Sequence, residues 1–434
     1  MKNIPEERLS TIGKLIEVTR EEKRNKSQNK YTMKSFVEGI CTVNTLKRIE
    51  AGEIARIEDV YVELLDKLNL KLGYFPAVDD AILELMDPLY EAIEYYRVED
   101  ISKYCGMGLR VLGKVKNYVY YSELYDLLLA TKEYFEEAKI ISLSKMERFR
   151  NEYKLFNEKY HSLFKIMVFY RGQAEAHNDP KLFETIVEEF QLLSSSSVME
   201  NILGLNYCII FKKYITFRDK VNALENELEY RKNYVRLLDV YVYRIFESIN
   251  IEKQVDKNYL EKADSLIALH QIPNVKVMDF YSNTAAALHE IKLYKEALNY
   301  YEKMVEVTEI EKLWVPALNC MAHCQRMLGM EINIPKLEDC YLKRYSILDQ
   351  KAYKYFVTEK VENFVKINYI FKELVPSLTY DSLIEIFRDE MTLLIEETGS
   401  YKSLYIYNKM VRENLNDWDD DFIRKTDRKS KKSL

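Results

Sequence analysis

Residues 42–49, TVNTLKRI, bring hydroxyls, an amide and two cations together within about two helical turns. If Thr42 caps a helix, Leu46 and Ile49 lie three apart on its buried face, and Val43, Asn44, Lys47 and Arg48 are left on the outer one. An Asn can bond an adenine edge as both donor and acceptor, and Lys or Arg can donate to guanine or to phosphate. Such a face suits the major groove of double-stranded DNA. The candidate DNA-binding set is Thr42, Val43, Asn44, Thr45, Lys47 and Arg48, with Lys34 from the preceding element.

A second group of polar residues lies far down the chain. Asn206, Asn283 and Asn319 each sit in a helical stretch otherwise rich in apolar residues. A side-chain amide can donate to and accept from a peptide backbone whatever the peptide's sequence. His289, His323 and Arg326 share the face of Asn283 and Asn319, and the six together form a candidate peptide-binding set. Cys320, His323 and Cys324, at i, i+3 and i+4, come nearest to a metal site, but no fourth ligand is in view and Cys also serves as a small packing residue. No metal and no cofactor are expected. There is no P-loop, no Rossmann glycine fingerprint and no Gly-x-Ser-x-Gly elbow, and His161, His177, His270, His289 and His323 lack zinc-protease spacing. The chain is not expected to be an enzyme.

The elements that must position these residues are helical. Only 11 Gly and 8 Pro occur in 434 residues, well below average usage, so long helices and few tight turns are expected. Leu9, Ile12, Leu15, Ile16 and Thr19 recur at helical spacing and predict a first helix from Leu9 to Lys23. Lys23, Arg24, Lys26, Lys30 and Lys34 follow without an acid and read as a basic loop over 23–34. Thr32 can cap a short helix that buries Phe36 and Val37, Gly39 allows a sharp turn, and Gly52 ends the helix that begins after Thr42. Val60, Leu64, Leu65, Leu68 and Leu70 supply closing helices.

Charge divides the same way. Residues 1–48 carry 11 basic against 6 acidic residues, a balance of +5, and the remainder carries 53 against 64, or −11. A basic head on an acidic body fits a nucleic-acid-binding module joined to something that does not bind nucleic acid. The six cysteines form no disulfide framework, the segment MKNIPEERLS is too polar for a signal peptide, and no run approaches the ~18 apolar residues of a membrane span. A cytoplasmic protein with no membrane partner is expected.

Within GICTVNTLKRIEAGE, residues Gly39, Ile40, Cys41, Thr42, Leu46, Ile49, Glu50 and Gly52 resemble the Xre/Cro-type helix-turn-helix domain of Gram-positive regulators. The likeness covers about 65 residues. It departs in a longer loop between the first helices and in Met33, where that family commonly carries a DNA-contacting Gln.

In the body, LYKEALNYYEKM places Tyr294 and Ala297 as in the second helix of a tetratricopeptide repeat, with Ala285 on the helix before. Ala263 precedes Ala297 by 34 residues, Ala322 follows Ala285 by 37, Gly329 falls near an inter-helix turn, Ala138 lies in a comparable context, and Gly399 with Tyr401 repeats a Gly-x-Tyr turn. A helical-hairpin array over roughly 79–416 is expected. NDP at 178–180, Ser194–Ser197, IPN at 272–274 and NIP at 333–335 mark its loops. The domains expected are a DNA-binding head over 1–73, a repeat body over 74–420 and a basic, disordered tail over 421–434.

This head and body together resemble the peptide-pheromone-responsive regulators of Gram-positive bacteria, the family of Rap, Rgg, NprR, PlcR and PrgX, with length closest to the NprR-like members. The resemblance implies an all-α fold in which a helix-turn-helix domain precedes a right-handed tetratricopeptide-like solenoid. It further implies a homodimer that binds a palindromic operator and is controlled by a short signalling peptide, with asparagines clamping the peptide backbone. Rap-like members instead sequester or inhibit a signalling protein, which is the alternative reading.

Overall fold

The computed structural model describes residues 4–26, 29–55, 59–176, 178–358, 362–378, 381–399 and 402–412. His177, Tyr401 and the expected tail lie outside the described residues. The described residues are all-helical and contain no β-strand beyond an isolated bridge between Lys71 and Tyr118. None of their helices is long and apolar enough to cross a membrane. The chain divides into two compact units, Met1–Leu237 and Leu238–Leu434.

The first unit begins with α1 (Glu6–Lys26), α2 (Met33–Val37), α3 (Val43–Glu50) and α4 (Asp59–Lys67). Helix α1 runs to Lys26 rather than stopping at Lys23, because Glu21, Glu22, Lys23 and Arg24 are good helix formers and Arg24 pairs with Glu21 one turn back. Lys23, Arg24 and Lys26 are therefore helix residues and not loop cations, Lys34 belongs to α2, and of the five cations Lys30 alone lies between the two helices. Lys23 donates to the Leu68 carbonyl. The Thr32 hydroxyl caps α2, burying Phe36 and Val37, and Lys67 closes its other end by donating to the carbonyls of Phe36 (2.9 Å) and Glu38 (2.8 Å).

Helices α1 and α3 meet at Gly13, where a Cβ would lie 2.1 Å from the Ile49 carbonyl oxygen. Only a glycine allows that approach. The helices that follow are α5 (Pro76–Glu94), α6 (Val98–Leu112), α7 (Tyr121–Glu137) and α8 (Leu143–Glu152); α1 rests on α8 and reaches α5 and the start of α7 through Arg8. Arg8 bonds Asp79 at 2.8 Å and lies 3.5 Å over the Tyr120 ring, and Thr11 donates to the Leu155 carbonyl at 3.4 Å. Tyr120 holds φ 74° and ψ −51°, a conformation a non-glycine residue adopts only when its surroundings impose it. The sequence predicts a boundary near residue 73; the helices on either side of it pack together within the first unit.

The unit continues through α9 (His161–Glu175), α10 (Pro180–Phe190), α11 (Val198–Ile210), α12 (Tyr214–Tyr230) and the start of α13 (Tyr234–Glu252). The second contains the rest of α13, then α14 (Lys257–Leu269), α15 (Asn274–Glu290), α16 (Tyr294–Val307), α17 (Val315–Met327), α18 (Asp339–Leu342), α19 (Ile347–Val357), α20 (Asn363–Tyr369) and α21 (Asp381–Thr398). Neighbours in sequence pack on each other, α15 on α16 and α16 on α17.

One turn recurs in both units. Tyr96, Lys212, Lys232, Lys292 and Gly329 each take a left-handed conformation at a helix end, with φ between 53° and 69°. In each, the next residue's N–H reaches back to a carbonyl five positions earlier, as Leu293 does to Leu288 at 3.0 Å and Asn233 to Leu228 at 2.9 Å. The small residues Ala263, Ala285, Ala297 and Ala322 have no exposed surface. Ala138 differs from them: it is the exposed, left-handed C-cap of α7 and not a helix-packing residue.

Candidate functional site

The outer face of α3 is set by its ends and its core. Thr42 Oγ1 accepts from the Thr45 N–H at 3.1 Å and lies 2.9 Å from Thr45 Oγ1, starting the helix. Gly39, at φ 80°, makes the turn from α2. Leu46 and Ile49 are buried, each worth about 1.5–3 kcal/mol of apolar burial. Asn44, Lys47 and Arg48 are exposed, Val43 and Thr45 are half-buried, and Lys34 is exposed on α2.

Behind this face lies an ion pair that the residue pattern did not disclose. Arg20 of α1 and Glu50 of α3 are both buried; Arg20 Nε donates to Glu50 Oε1 at 2.6 Å and Nη2 to Oε2 at 3.0 Å. Nη1 donates to Glu21 at 2.6 Å and to the Tyr31 carbonyl at 3.3 Å. Burial by itself would push the Arg20 pKa down; the bonds to Glu50 and then Glu21 outweigh it and raise the pKa. Glu50 belongs to the motif already recognised, but its partner stands 30 residues upstream, beyond the reach of local periodicity.

A second polar cluster lies in the second unit. His289 Nε2 and His323 Nδ1 are 2.8 Å apart, and both rings pack edge-on against Tyr294. Burial pushes the His289 pKa down to about 4, opposed by Asp389. Burial, His289 and Lys292 push His323 down to about 3. Both rings are neutral near pH 7. The tautomer that serves the cluster has His289 donating from Nε2 to His323 Nδ1 and leaves the His323 proton on Nε2, 3.8 Å from Asp389 Oδ2. Tyr294 donates to the same carboxylate oxygen at 3.3 Å. The next residue of α21, Glu390, accepts from Arg326 Nε (3.1 Å) and from the Tyr355 hydroxyl (2.7 Å), and Glu397, two turns further on, accepts from Arg326 Nη2 at 3.1 Å.

These contacts decide what the six candidate peptide-binding residues can offer. Asn319 and His323 are interior: Asn319 has no exposed surface and donates to the Asp349 carbonyl at 3.3 Å, and His323 is 1% exposed. Asn283 is half-buried and donates to the Asp279 carbonyl of its own helix at 2.7 Å. His289 and Arg326 are half-buried within the cluster facing α21. The partners Asp389, Glu390 and Glu397 lie more than 60 residues from Arg326 and had no signal in its surroundings. Asn206 is half-buried on α11, in the first unit, and does not line the cleft of about 200 Å³ bordered by Leu193, Asn201, Leu205, Lys220 and Glu227.

Cys320 is half-buried and Cys324 buried; burial raises both thiols, Cys320 to about 11. A raised thiol stays protonated near neutral pH and is a poor metal ligand. Among the described residues, no group of three or more His, Cys, Asp or Glu could hold a metal ion. Compared with protein-family models, curated proteins and solved structures, the chain matches none.

Proposed function

We propose that the chain is a DNA-binding transcriptional regulator. Residues 1–73 act as an Xre-type helix-turn-helix head, and the later helices act as a tetratricopeptide-like body that pairs two copies and binds a short signalling peptide. The observation that carries this reading is α3: its apolar face is anchored by Leu46 and Ile49, and it presents Asn44, Lys47 and Arg48 outward together. Two capped helices meeting across a left-handed glycine support the head assignment. The recurrent left-handed turn and the buried alanines support the body assignment. Within the second unit a peptide would meet Asn283, His289 and Arg326 before the interior Asn319 and His323.

The test is to select bound sequences from a pool of randomised duplexes with full-length protein and then titrate the recovered site. Asn44→Ala should weaken binding about tenfold, since a base-edge contact contributes ~1–3 kcal/mol, and Lys47→Ala should weaken it at all sequences alike. Lys47→Ala should also lower the salt slope by about one if the ammonium meets phosphate. Recovery of no sequence, or unchanged binding by both variants, would remove α3 from DNA recognition.

A further inference from the structure

Arg48 and Lys47 are neighbours on α3 with the same charge, and the fold treats them differently. Arg48 Nε donates to Glu53 Oε2 at 2.6 Å. Glu53 reaches it because Gly52, at φ 85°, turns the chain back over the end of α3 and the Glu53 N–H bonds the Arg48 carbonyl at 2.9 Å. The backbone just beyond is held by Tyr61, a fully buried residue whose hydroxyl accepts from the Ala55 N–H at 3.2 Å and lies 3.5 Å from the Glu53 carbonyl. Glu53 is therefore a carboxylate on a fixed arm, while both side chains of the pair remain open to solvent, 68% for Arg48 and 54% for Glu53.

A carboxylate on Nε occupies one edge of the guanidinium. The edge formed by the two Nη groups stays open, and its parallel N–H bonds can match guanine O6 and N7. A free arginine side chain loses up to ~2 kcal/mol of rotamer freedom when it is fixed, and one held in advance loses less. The pair is also close to neutral overall, so Arg48 adds little to non-specific attraction to phosphate, a role left to Lys47 and Lys34.

We infer that Glu53 is a positioning residue for base recognition: it holds Arg48 with its Nη edge outward, making Arg48 the reader of one guanine and leaving Lys47 to the general affinity of the face. This rests on the DNA-binding reading of α3. The test repeats the randomised-duplex selection with wild type, Glu53→Gln, Glu53→Ala and Arg48→Lys, each checked for an unchanged thermal midpoint. Wild type should recover a site with a guanine at one position. All three variants should lose that preference about tenfold at the same position and keep the others, and combining Arg48→Lys with Glu53→Gln should cost no more than either alone. Arg48→Lys retains the charge but not the fork, so its loss separates geometry from electrostatics.

A recovered site whose guanine preference survives Glu53→Gln and Glu53→Ala overturns the inference and leaves the DNA reading intact. So does a uniform gain in affinity at every position, which would make Glu53 a screening charge only. If wild type recovers no sequence, the DNA reading falls and this inference falls with it.

Discussion

The Arg20–Glu50 system of the first unit and the Arg326–Glu390 system of the second each tie helices together, and they are finished to different degrees. In the first unit Arg20 has no exposed surface, and its Nε, Nη1 and Nη2 all have partners. In the second, Arg326 keeps 24% of its side chain at the surface, and Glu390 divides its oxygens between that guanidinium and the Tyr355 hydroxyl. Beside it, the neutral His289–His323 pair leaves His323 Nε2 without a close partner. A fully paired buried charge fixes one arrangement, because every alternative strands it away from water. A cluster of neutral rings next to a partly wet ion pair fixes its helices less firmly and carries a dependence on pH.

Breaking the finished system should have the largest effect. Arg20→Ala leaves the Glu50 carboxylate buried and unpaired, and should cost about 3–5 kcal/mol in denaturant unfolding. A loss below about 1 kcal/mol would show that the α1–α3 contact relaxes around the missing guanidinium. The second system should respond to acid. The folded pKa values of about 4 and about 3 lie below the ordinary histidine value, so the unfolded chain binds protons first as pH falls. The stability the neutral rings contribute is fully present above about pH 6.5 and is lost on descending toward pH 4 and below. Urea midpoints across this range should fall for wild type and flatten for His289→Gln combined with His323→Gln; equal slopes would place the acid sensitivity elsewhere.

The smallest effect belongs to the turn beneath that cluster. Lys292→Gly relieves a left-handed lysine and should stabilise the chain by roughly 0.5–1 kcal/mol near neutral pH. It also removes a cation that disfavours the charged form of both histidines, so the pH slope should become shallower. A lower thermal midpoint would mean that the exposed Lys292–Asp389 contact at 3.7 Å matters more than the backbone.

The helix ends of the head were legible because each is written locally: Thr32 and Thr42 cap within three residues, and Leu46 and Ile49 define a face within one turn. The α15–α17 region was harder to read. Helix α17 buries Ala317, Leu318, Asn319, Met321, Ala322, His323, Cys324 and Gln325 in near-continuous succession, so it has no outer face for a period to reveal, and polar residues on it turn inward. The turns joining the helices escaped notice for another reason. Glycine is the expected residue at a left-handed position, and here Lys212, Lys232 and Lys292 occupy it, so the recurring mark is Lys-x-Tyr and not Gly-x-Tyr. The pairs Arg20–Glu50 and Arg326–Glu390 join residues far apart in sequence, and nothing local announces either.

Arg8, clamped between Asp79 and the ring of a strained Tyr120, has a consequence for how two heads would engage one DNA molecule. A head hung on a slack tether finds its second half-site with an effective concentration set by the tether's random reach, and it tolerates many spacings. Here Arg8 and the packing of α1 on α8 hold the first four helices against those that follow within the first unit, so on the proposed reading the way a head is presented is a property of that folded unit and not of a chain's entropy. If the first unit also carries the pairing surface, the proposed regulator should accept half-sites only near one separation, and near others one helical turn of DNA away.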